Sequence, residues 1–395
     1  MHYPLENIIV LDMTRVLAGP YCTMLLADLG AEVIKLEVPG KGDDSREFGP
    51  YIQDESAYFM SLNRNKESLT LNLKTKKGQE IFKKLVSKVD VLVENFKPGT
   101  MEKLGLGYDT LKLINPKLIY AASSGFGQTG PYSQRPAYDG VIQAMGGIMS
   151  ITGQKEGVPT RVGPSVGDIV AGLFTAIGIL AAVNKRVYTG KGTMVDVSML
   201  DCQVGILENA LARYFVTGKS PQPEGNRHAS IVPFEPFETR DGQIMIAVGN
   251  NQLWEKFCRV IGKESLIQDE RFKTNPLRND YYSELRPLIA QEIIKKTTIE
   301  WQELFINGGI PSGPINNIER VTKDEQVIAR NMIQKVNHPK IGESLVPGIP
   351  IKIEGVDDNI RFAAPTLGEH NEKILSRYLG LTKEEIKELV EEGVL

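Results

Sequence analysis

The 395-residue chain is poor in cysteine and histidine and carries no block of charge of one sign. Its three cysteines, Cys22, Cys202 and Cys258, lie far apart, which excludes a disulfide framework and any Cys-pair metal site. Cys22 and Cys202 stand in apolar surroundings and are expected in the core. Four histidines with no His-x-x-x-His spacing give no metal site either. The net charge is −3 and the longest basic run is the short Lys74–Lys77 segment, so there is no electrostatic footprint for nucleic acid. The apolar run Ile169–Val183 has 15 residues, short of the ~20 that span a bilayer, and no membrane partner is expected. The chain opens almost directly into a strand-like run with no signal or transit peptide before it, and a cytoplasmic location is expected.

What is present is an ordinary soluble composition, 41% apolar and 24% charged, in a chain long enough for two domains. Asn7–Met13 is a continuous apolar run of strand length, the pattern of a parallel strand covered on both faces. Thr14–Pro20 follows as a turn, Tyr21–Gly30 as a helix and Ala31–Glu37 as a strand, which together open a doubly wound α/β fold. Glu67–Leu73, Val89–Glu94, Leu118–Ser124 and Val195–Ser198 read as further strands. Lys76–Val86, Gly99–Leu104, Ala137–Met149, Asp168–Lys185 and Asp201–Thr217 read as helices. The pattern changes near Gly218. Phe237–Glu238 and Gln243–Val248 flank an Asp241-Gly242 turn as a hairpin, followed by helices at Gln252–Ile261, Ser283–Lys296 and Ile299–Asn307. The expected division is a large α/β domain over 1–224, a small α+β domain over 225–317 and a C-terminal segment over 318–395, in which Gly342–Pro350 reads as irregular. Lys383–Glu392 is a charged terminal helix.

The stretch Gly163–Arg186 organises the chemistry. Asp168 stands alone before the charge-free run, which reads as a helix buried on every side. The small residues Ala171, Gly172, Ala176 and Gly178 would let another backbone come close. A carboxylate at that helix end tends to stay ionised, held by the free N–H groups and the macrodipole. It is either a helix cap, the commoner use of Asp there, or a carboxylate nucleophile in an apolar pocket. Two other motifs carry less. Gly125–Gly130 matches Gly-x-Gly-x-x-Gly, but the two prolines of Pro131–Pro136 oppose the helix that a dinucleotide site needs, so no NAD is expected. Gly163–Gly167 matches the Gly-x-Ser-x-Gly elbow of hydrolases but lacks a strong strand before it, and Ser165 reads as a turn residue.

Several stretches taken together resemble the class III coenzyme A transferases, the carnitine/formyl-CoA transferase family. They are Thr14–Pro20, Gly30–Glu37, Asn63–Lys66, Glu94–Gly99, Gly125–Pro131 with Tyr138-Asp139-Gly140, Gly167-Asp168-x-x-x-Gly172, Gly190–Gly192 and Gly313–Asn316. Within that family the chain is most similar to the succinyl-CoA:glutarate type, through Ser230–Phe234 after His228, Gly249–Gln252 and Gly313–Asn317. The resemblance implies a doubly wound, Rossmann-like large domain, a smaller inserted α+β domain and an interlocked homodimer.

It also implies that Asp168 is the nucleophile. CoA would pass from an acyl-CoA, succinyl-CoA by preference, to glutarate or a related dicarboxylate through an aspartyl anhydride and an aspartyl-CoA thioester. By matched position Val16, Leu17, Ala18, Lys35, Leu71, Asn72, Leu73, Lys74, Asn95, Phe96, Lys97, Lys103, Arg135 and Tyr138 resemble the CoA-contacting residues. The lysines among them suit the phosphates of CoA. His228, Ser230, Gly249 and Asn250, with Arg227, lie in stretches that would meet the acceptor carboxylate. CoA thioesters are then substrates, with no metal and no tightly bound cofactor. Leu17, Val38 and Gly249-Asn250-Asn251 depart from the formyl-CoA transferase pattern and point away from formyl or oxalate specificity. Tyr138-Asp139 stands where related 2-methylacyl-CoA racemases have a His-Asp pair. That racemase and a catalytically silent CoA-binding protein are the alternatives.

Overall fold

The structure, a computed structural model, describes residues 2–395. The chain divides into two compact units. The first comprises Met1–Met149, Arg161–Gly218 and Glu325–Leu395. The second comprises Ser150–Thr160 and Lys219–Asp324.

The first unit is built on a six-stranded sheet. Its strands are β1 (Ile9–Asp12), β2 (Glu32–Glu37), β3 (Lys66–Thr70), β4 (Val91–Glu94), β5 (Ile119–Ser124) and β6 (Met194–Ser198). Their order is 3-2-1-4-5-6 and every neighbouring pair is parallel. This is the doubly wound arrangement that the alternation of strands and helices predicts. Adjacent strand residues point to opposite faces, and here both faces are apolar. Leu11, Ile34, Leu92 and Tyr120 go to one core, shared with the helices Lys76–Val86, Asn371–Leu379 and Lys383–Glu391. Val10, Val33, Val91 and Ile119 go to the other, with α1 (Ala18–Asp28) and α2 (Val166–Thr189). All three cysteines are free and buried.

The small residues of α2 do let a backbone approach. A Cβ on Gly172 would lie 2.7 Å from the Ala18 carbonyl oxygen, so α1 and α2 cross at van der Waals contact only because that position has no side chain. Two expectations about α2 are corrected. It is not buried on every side: Leu173, Phe174 and Ile177 are 40%, 41% and 58% exposed, because one flank packs on α1 and the sheet while the other meets nothing in the unit. It also continues to Thr189, and at 24 residues is long and apolar enough, by length and composition, to cross a membrane. Two predicted helices are each broken. Ala137–Met149 divides into Asp139–Met145 and Ile148–Ile151 at Gly146-Gly147, and Asp201–Thr217 divides into Met199–Gly205 and Glu208–Thr217. The stretch read as irregular, Gly342–Pro350, contains a strand, Gly342–Pro347, paired antiparallel with Ile333–His338.

The second unit has a three-stranded antiparallel sheet. In it the hairpin Phe234–Glu238 and Gln243–Ala247 is joined by Ser312–Pro314. Trp254, Phe257, Ile289, Trp301 and Phe305 from three helices fill its core.

Candidate active site

In an open parallel sheet the strands leave a crevice where the winding reverses, at their carboxyl ends. Here that point lies between β1 and β4, whose chains continue into Met13–Leu17 and Asn95–Pro98. Both segments are held by specific bonds. The Asn95 amide accepts from Arg15 N at 2.9 Å and donates to Arg15 O at 2.8 Å, and Asp43 Oδ1 accepts from Val16 N at 3.0 Å. Val16 has φ +66°, a left-handed conformation that a β-branched residue adopts only when its surroundings enforce it.

Beneath the turn lies a buried ionic cluster. Lys35 Nζ pairs with Asp43 Oδ2 at 2.8 Å and donates to Thr14 O at 2.9 Å. Lys66 Nζ pairs with Asp12 Oδ2 at 3.0 Å and donates to Pro20 O and Asn63 Oδ1. Burial pushes the Asp43 carboxyl up, but the Lys35 ammonium and the N–H groups of Ser45 and Val16 outweigh it and hold Asp43 well below the usual carboxylate range.

Two cavities open at these strand ends. One, of about 340 Å³, is lined by Val16, Leu17, Ala18, Asn95, Phe96, Lys97, Arg135, Tyr138 and Asp168, with Arg15 and Ser123–Gly125. The other, of about 360 Å³, is lined by Leu71, Asn72, Leu73, Lys74, Phe96 and Lys103 over the apolar side chains of Met13, Leu36 and Leu104. Arg15 and Phe96 line both, and the Arg15 guanidinium lies 4.8 Å from the Phe96 ring centre. An apolar slot edged by Lys74 and Lys103, sharing Arg15 and Phe96 with a second cavity, suits a flat heteroaromatic group carrying phosphates. Of the fourteen first-unit residues assigned to CoA contact, these two cavities gather all but Lys35. Lys35 is fully buried and its ammonium is committed to Asp43 and Thr14, so it is a structural cation and lines neither cavity.

His228, Ser230, Gly249 and Asn250 belong to the second unit. His228 Nδ1 accepts from the N–H groups of Ser230 and Ile231, both at 3.1 Å, which folds the turn around it. Asn250 caps the helix Asn251–Val260 through Leu253 N at 2.9 Å. Arg227 stacks 3.8 Å above the Tyr282 ring.

Asp168 sits in the first turn of α2, three residues after Ser165, and is not the cap. The carboxylate at that helix end comes from Asp139, whose Oδ1 accepts from Gly167 N at 2.8 Å. Among the described residues no hydrogen bond reaches the Asp168 carboxylate. The expectation that this carboxylate stays readily ionised is corrected: burial and then the charge of Asp139 push Asp168 up to about 7. A half-buried, donor-free carboxylate on the wall of a cavity is a strong base and a nucleophile in its ionised form.

Sequence reasoning passed over Asp43, the Asp139–Gln143 pair and Glu94. Glu94 accepts from Phe96 N at 2.7 Å, and burial pushes its carboxyl up to about 7. Asp139 had a signal, in the Tyr138-Asp139-Gly140 motif; Asp43 lies in a turn without one. Among the described residues no group of three or more His, Cys, Asp or Glu is gathered as for a metal ion.

Comparison with known proteins adds an independent line. The profile of CoA-transferase family III matches residues 5–371. The chain is 41% identical to the succinyl-CoA:glutarate CoA-transferase of Mus musculus, over 99% of this chain and 90% of that protein. It is 44% identical to the acetyl-CoA:oxalate CoA-transferase of Acetobacter aceti, over 93% of each. Among solved structures, a CAIB/BAIF family protein from Brucella suis is similar at a TM-score of 0.84 and 38% identity, covering 96% of this chain and 100% of that one.

Proposed function

The chain belongs to CoA-transferase family III and is a CoA-transferase, and from that premise we propose that it moves CoA from succinyl-CoA to glutarate or a related dicarboxylate, with Asp168 as the nucleophile. The observation that carries this reading is the donor-free Asp168 carboxylate on a cavity that adjoins the apolar, lysine-edged slot. The relatives named above take succinyl-CoA with glutarate or acetyl-CoA with oxalate, so a dicarboxylate acceptor is common to both. The second of them brings oxalate back as a candidate acceptor, against the departures at Leu17 and Val38.

The ionised Asp168 attacks the thioester carbonyl, and the C–S bond breaks to leave an aspartyl anhydride and the CoA thiolate. The thiolate attacks the Asp168 acyl carbon, releasing the donor's carboxylate and forming an aspartyl-CoA thioester. The acceptor carboxylate then displaces the thiolate to give a second anhydride. The thiolate attacks the acceptor's carbonyl, and Asp168 leaves as the carboxylate it began as. Each addition develops an oxyanion. Leu17 and Ala18 stand at the N-terminal end of α1 on the same cavity, where helix N–H groups have no intrahelical acceptor and serve as donors. Lys74, Lys97, Lys103 and Arg135 hold the phosphates of CoA. The homodimer implied by the resemblance finds support in the exposed stripe of Leu173, Phe174 and Ile177, an apolar surface that a second chain would cover.

The test incubates the protein with succinyl-CoA and glutarate, 3-hydroxy-3-methylglutarate, malate, mesaconate, oxalate or carnitine. Mass spectrometry follows new acyl-CoA products and, after hydroxylamine, modification at Asp168. A new dicarboxyl-CoA with trapped Asp168 is expected. Asp168→Ala is expected to fold, bind CoA and lose transfer by about a thousandfold or more, as enzymes do when a covalent nucleophile is removed. Near-normal turnover of that variant, or deuterium exchange into a 2-methylacyl-CoA with no transfer, overturns the reading.

A further inference from the structure

A buried carboxylate, Asp139, and a half-buried one, Asp168, lie at the start of α2, and only Asp168 lines the cavity. Asp139 is 6% exposed and is held at both oxygens: Oδ1 accepts from Gly167 N at 2.8 Å, and Oδ2 accepts from Gln143 Nε2 at 2.8 Å. The Gln143 amide is itself oriented, because its oxygen accepts from Val162 N at 2.8 Å and its side chain is fully buried. Gly167 makes room for this. A Cβ there would lie 3.0 Å from Asp139 Oδ1 and 3.3 Å from Ile142 Cγ2. An acid in the first turn of a helix ordinarily gains from the exposed N–H groups and the positive end of the dipole. Here Asp139 takes the Gly167 N–H, one of the free donors of that first turn, and no donor reaches Asp168 among the described residues.

We infer that Asp139 is a positioning residue, one that takes the helix N–H in place of Asp168 and so keeps the Asp168 carboxylate uncapped and available on the cavity wall. The inference rests on the reading of Asp168 as nucleophile. Its second effect is electrostatic. Burial first, and the Asp139 charge next, push Asp168 up to about 7, which strengthens it as a nucleophile and confines its action to pH near and above neutrality. The other ionisable groups around the pair are Arg15, Asp44, Lys97, Arg135 and Tyr138 on the cavity wall, with Arg161 4.0 Å from Asp139 Oδ2. Burial first, then the charges of Asp168, Asp43 and Asp139, raise the Tyr58 phenol to about 12. Arg161 is more than half exposed and only partly offsets the Asp139 charge.

The test is the pH profile of kcat/KM for the succinyl-CoA reaction. Asp139→Asn keeps an oxygen for Gly167 N and removes the charge, so the acid limb moves to lower pH by about one pH unit, the usual effect of losing a close like charge. Asp139→Ala removes the acceptor as well, so Asp168 folds back onto the helix end. The plateau then falls about tenfold or more while the affinity for CoA, read by calorimetry, stays within about twofold, a split that general loosening of the fold does not produce. Arg161→Gln, on an exposed side chain, keeps the test open should the Asp139 variants fail to fold. It moves the limb the other way, to higher pH, by a few tenths of a unit. An unmoved limb in Asp139→Asn, or in Arg161→Gln where that is the variant in hand, overturns the role of Asp139 if hydroxylamine still traps Asp168. Absence of trapping in the unmodified protein overturns the nucleophile reading instead.

Discussion

Replacing Lys66 with methionine removes one half of an ion pair in which both side chains are fully buried. The ammonium lies 3.0 Å from Asp12 Oδ2 and also serves Pro20 O at 3.0 Å and Asn63 Oδ1 at 2.9 Å. Without it Asp12 keeps Thr14 N at 2.9 Å and the hydroxyls of Thr14 and Thr23 at 2.5 and 2.6 Å, but the nearest cation is gone. Breaking a buried pair from one side typically costs about 3–5 kcal/mol, because a charge is left without a partner in a medium that solvates it poorly. Lys66→Met is therefore expected to lower the stability of the first unit by that amount. Asp12→Asn combined with Lys66→Met is expected to recover at least half of it, since no bare charge remains. Urea unfolding at one fixed protein concentration reads both, as a shift in midpoint with little change in slope. The deficit of the single variant narrows as pH falls. In the unmodified chain burial raises Asp12, but Lys66 and Lys35 outweigh it and hold the carboxyl below its usual range. Without Lys66 it takes up a proton at higher pH, and the unpaired charge disappears. A single variant within about 1 kcal/mol of the unmodified protein, or a double variant in which the two losses simply add, would refute the view that this pair anchors the turn over β1.

Two further outcomes follow from the cavity wall and the helix crossing. Asn95→Ala strips both hydrogen bonds from the Arg15 backbone, leaving a part-buried N–H unpaired at about 1–3 kcal/mol. With the strained Val16 turn released, kcat/KM for succinyl-CoA is expected to fall about tenfold, and a change under twofold would show that the turn holds itself. Gly172→Val puts a branched side chain where even a Cβ would lie 2.7 Å from Ala18 O and 3.1 Å from Tyr21 Cδ1. Overpacking against backbone typically costs about 1–3 kcal/mol, so a lower Tm and reduced transfer are expected, and an unchanged Tm would show that α1 yields freely.

Much of the first unit was legible because its strands are buried on both faces and so read as unbroken apolar runs such as Val10–Leu11 and Val91–Val93. The helix Lys76–Val86 was delimited to the residue, with Thr75 as its cap. A two-residue alternation was legible in the hairpin Phe234–Glu238 and Gln243–Ala247 but not in a second one. In the hairpin Ile333–His338 and Gly342–Pro347 the inward positions include Gln334 and His338, both buried and both polar. Their side chains hide the alternation that a strand shows when its inner face is apolar. The helix breaks at Gly146-Gly147 and before Glu208, with φ +32°, fall in stretches whose apolar spacing continues across the interruption.

The site divides along the same line. Cavity-lining residues such as Leu71–Lys74 and Asn95–Lys97 were within reach because each comes from a contiguous stretch following a strand. Lys35, assigned by matched position, lines neither cavity; a lysine within β2 looks like a phosphate ligand until its partner is known. That partner, Asp43, is eight positions away in a turn with no pattern of its own. Asn63–Lys66 shows the converse. The stretch helped carry the resemblance, yet Arg64 pairs with Asp28 at 2.7 Å, Asn65 accepts from the N–H groups of Arg361 and Phe362, and Lys66 pairs with Asp12. A shared motif therefore marks what a fold needs as readily as what a reaction needs. Asp139 satisfies both readings at once. It fills the hydrogen-bonding vacancy at a helix end, a structural task, and by filling it leaves Asp168 with no donor. Structural and chemical roles of such a residue separate only in a measurement that titrates the neighbour, because removing its charge and removing its hydrogen bond perturb different quantities.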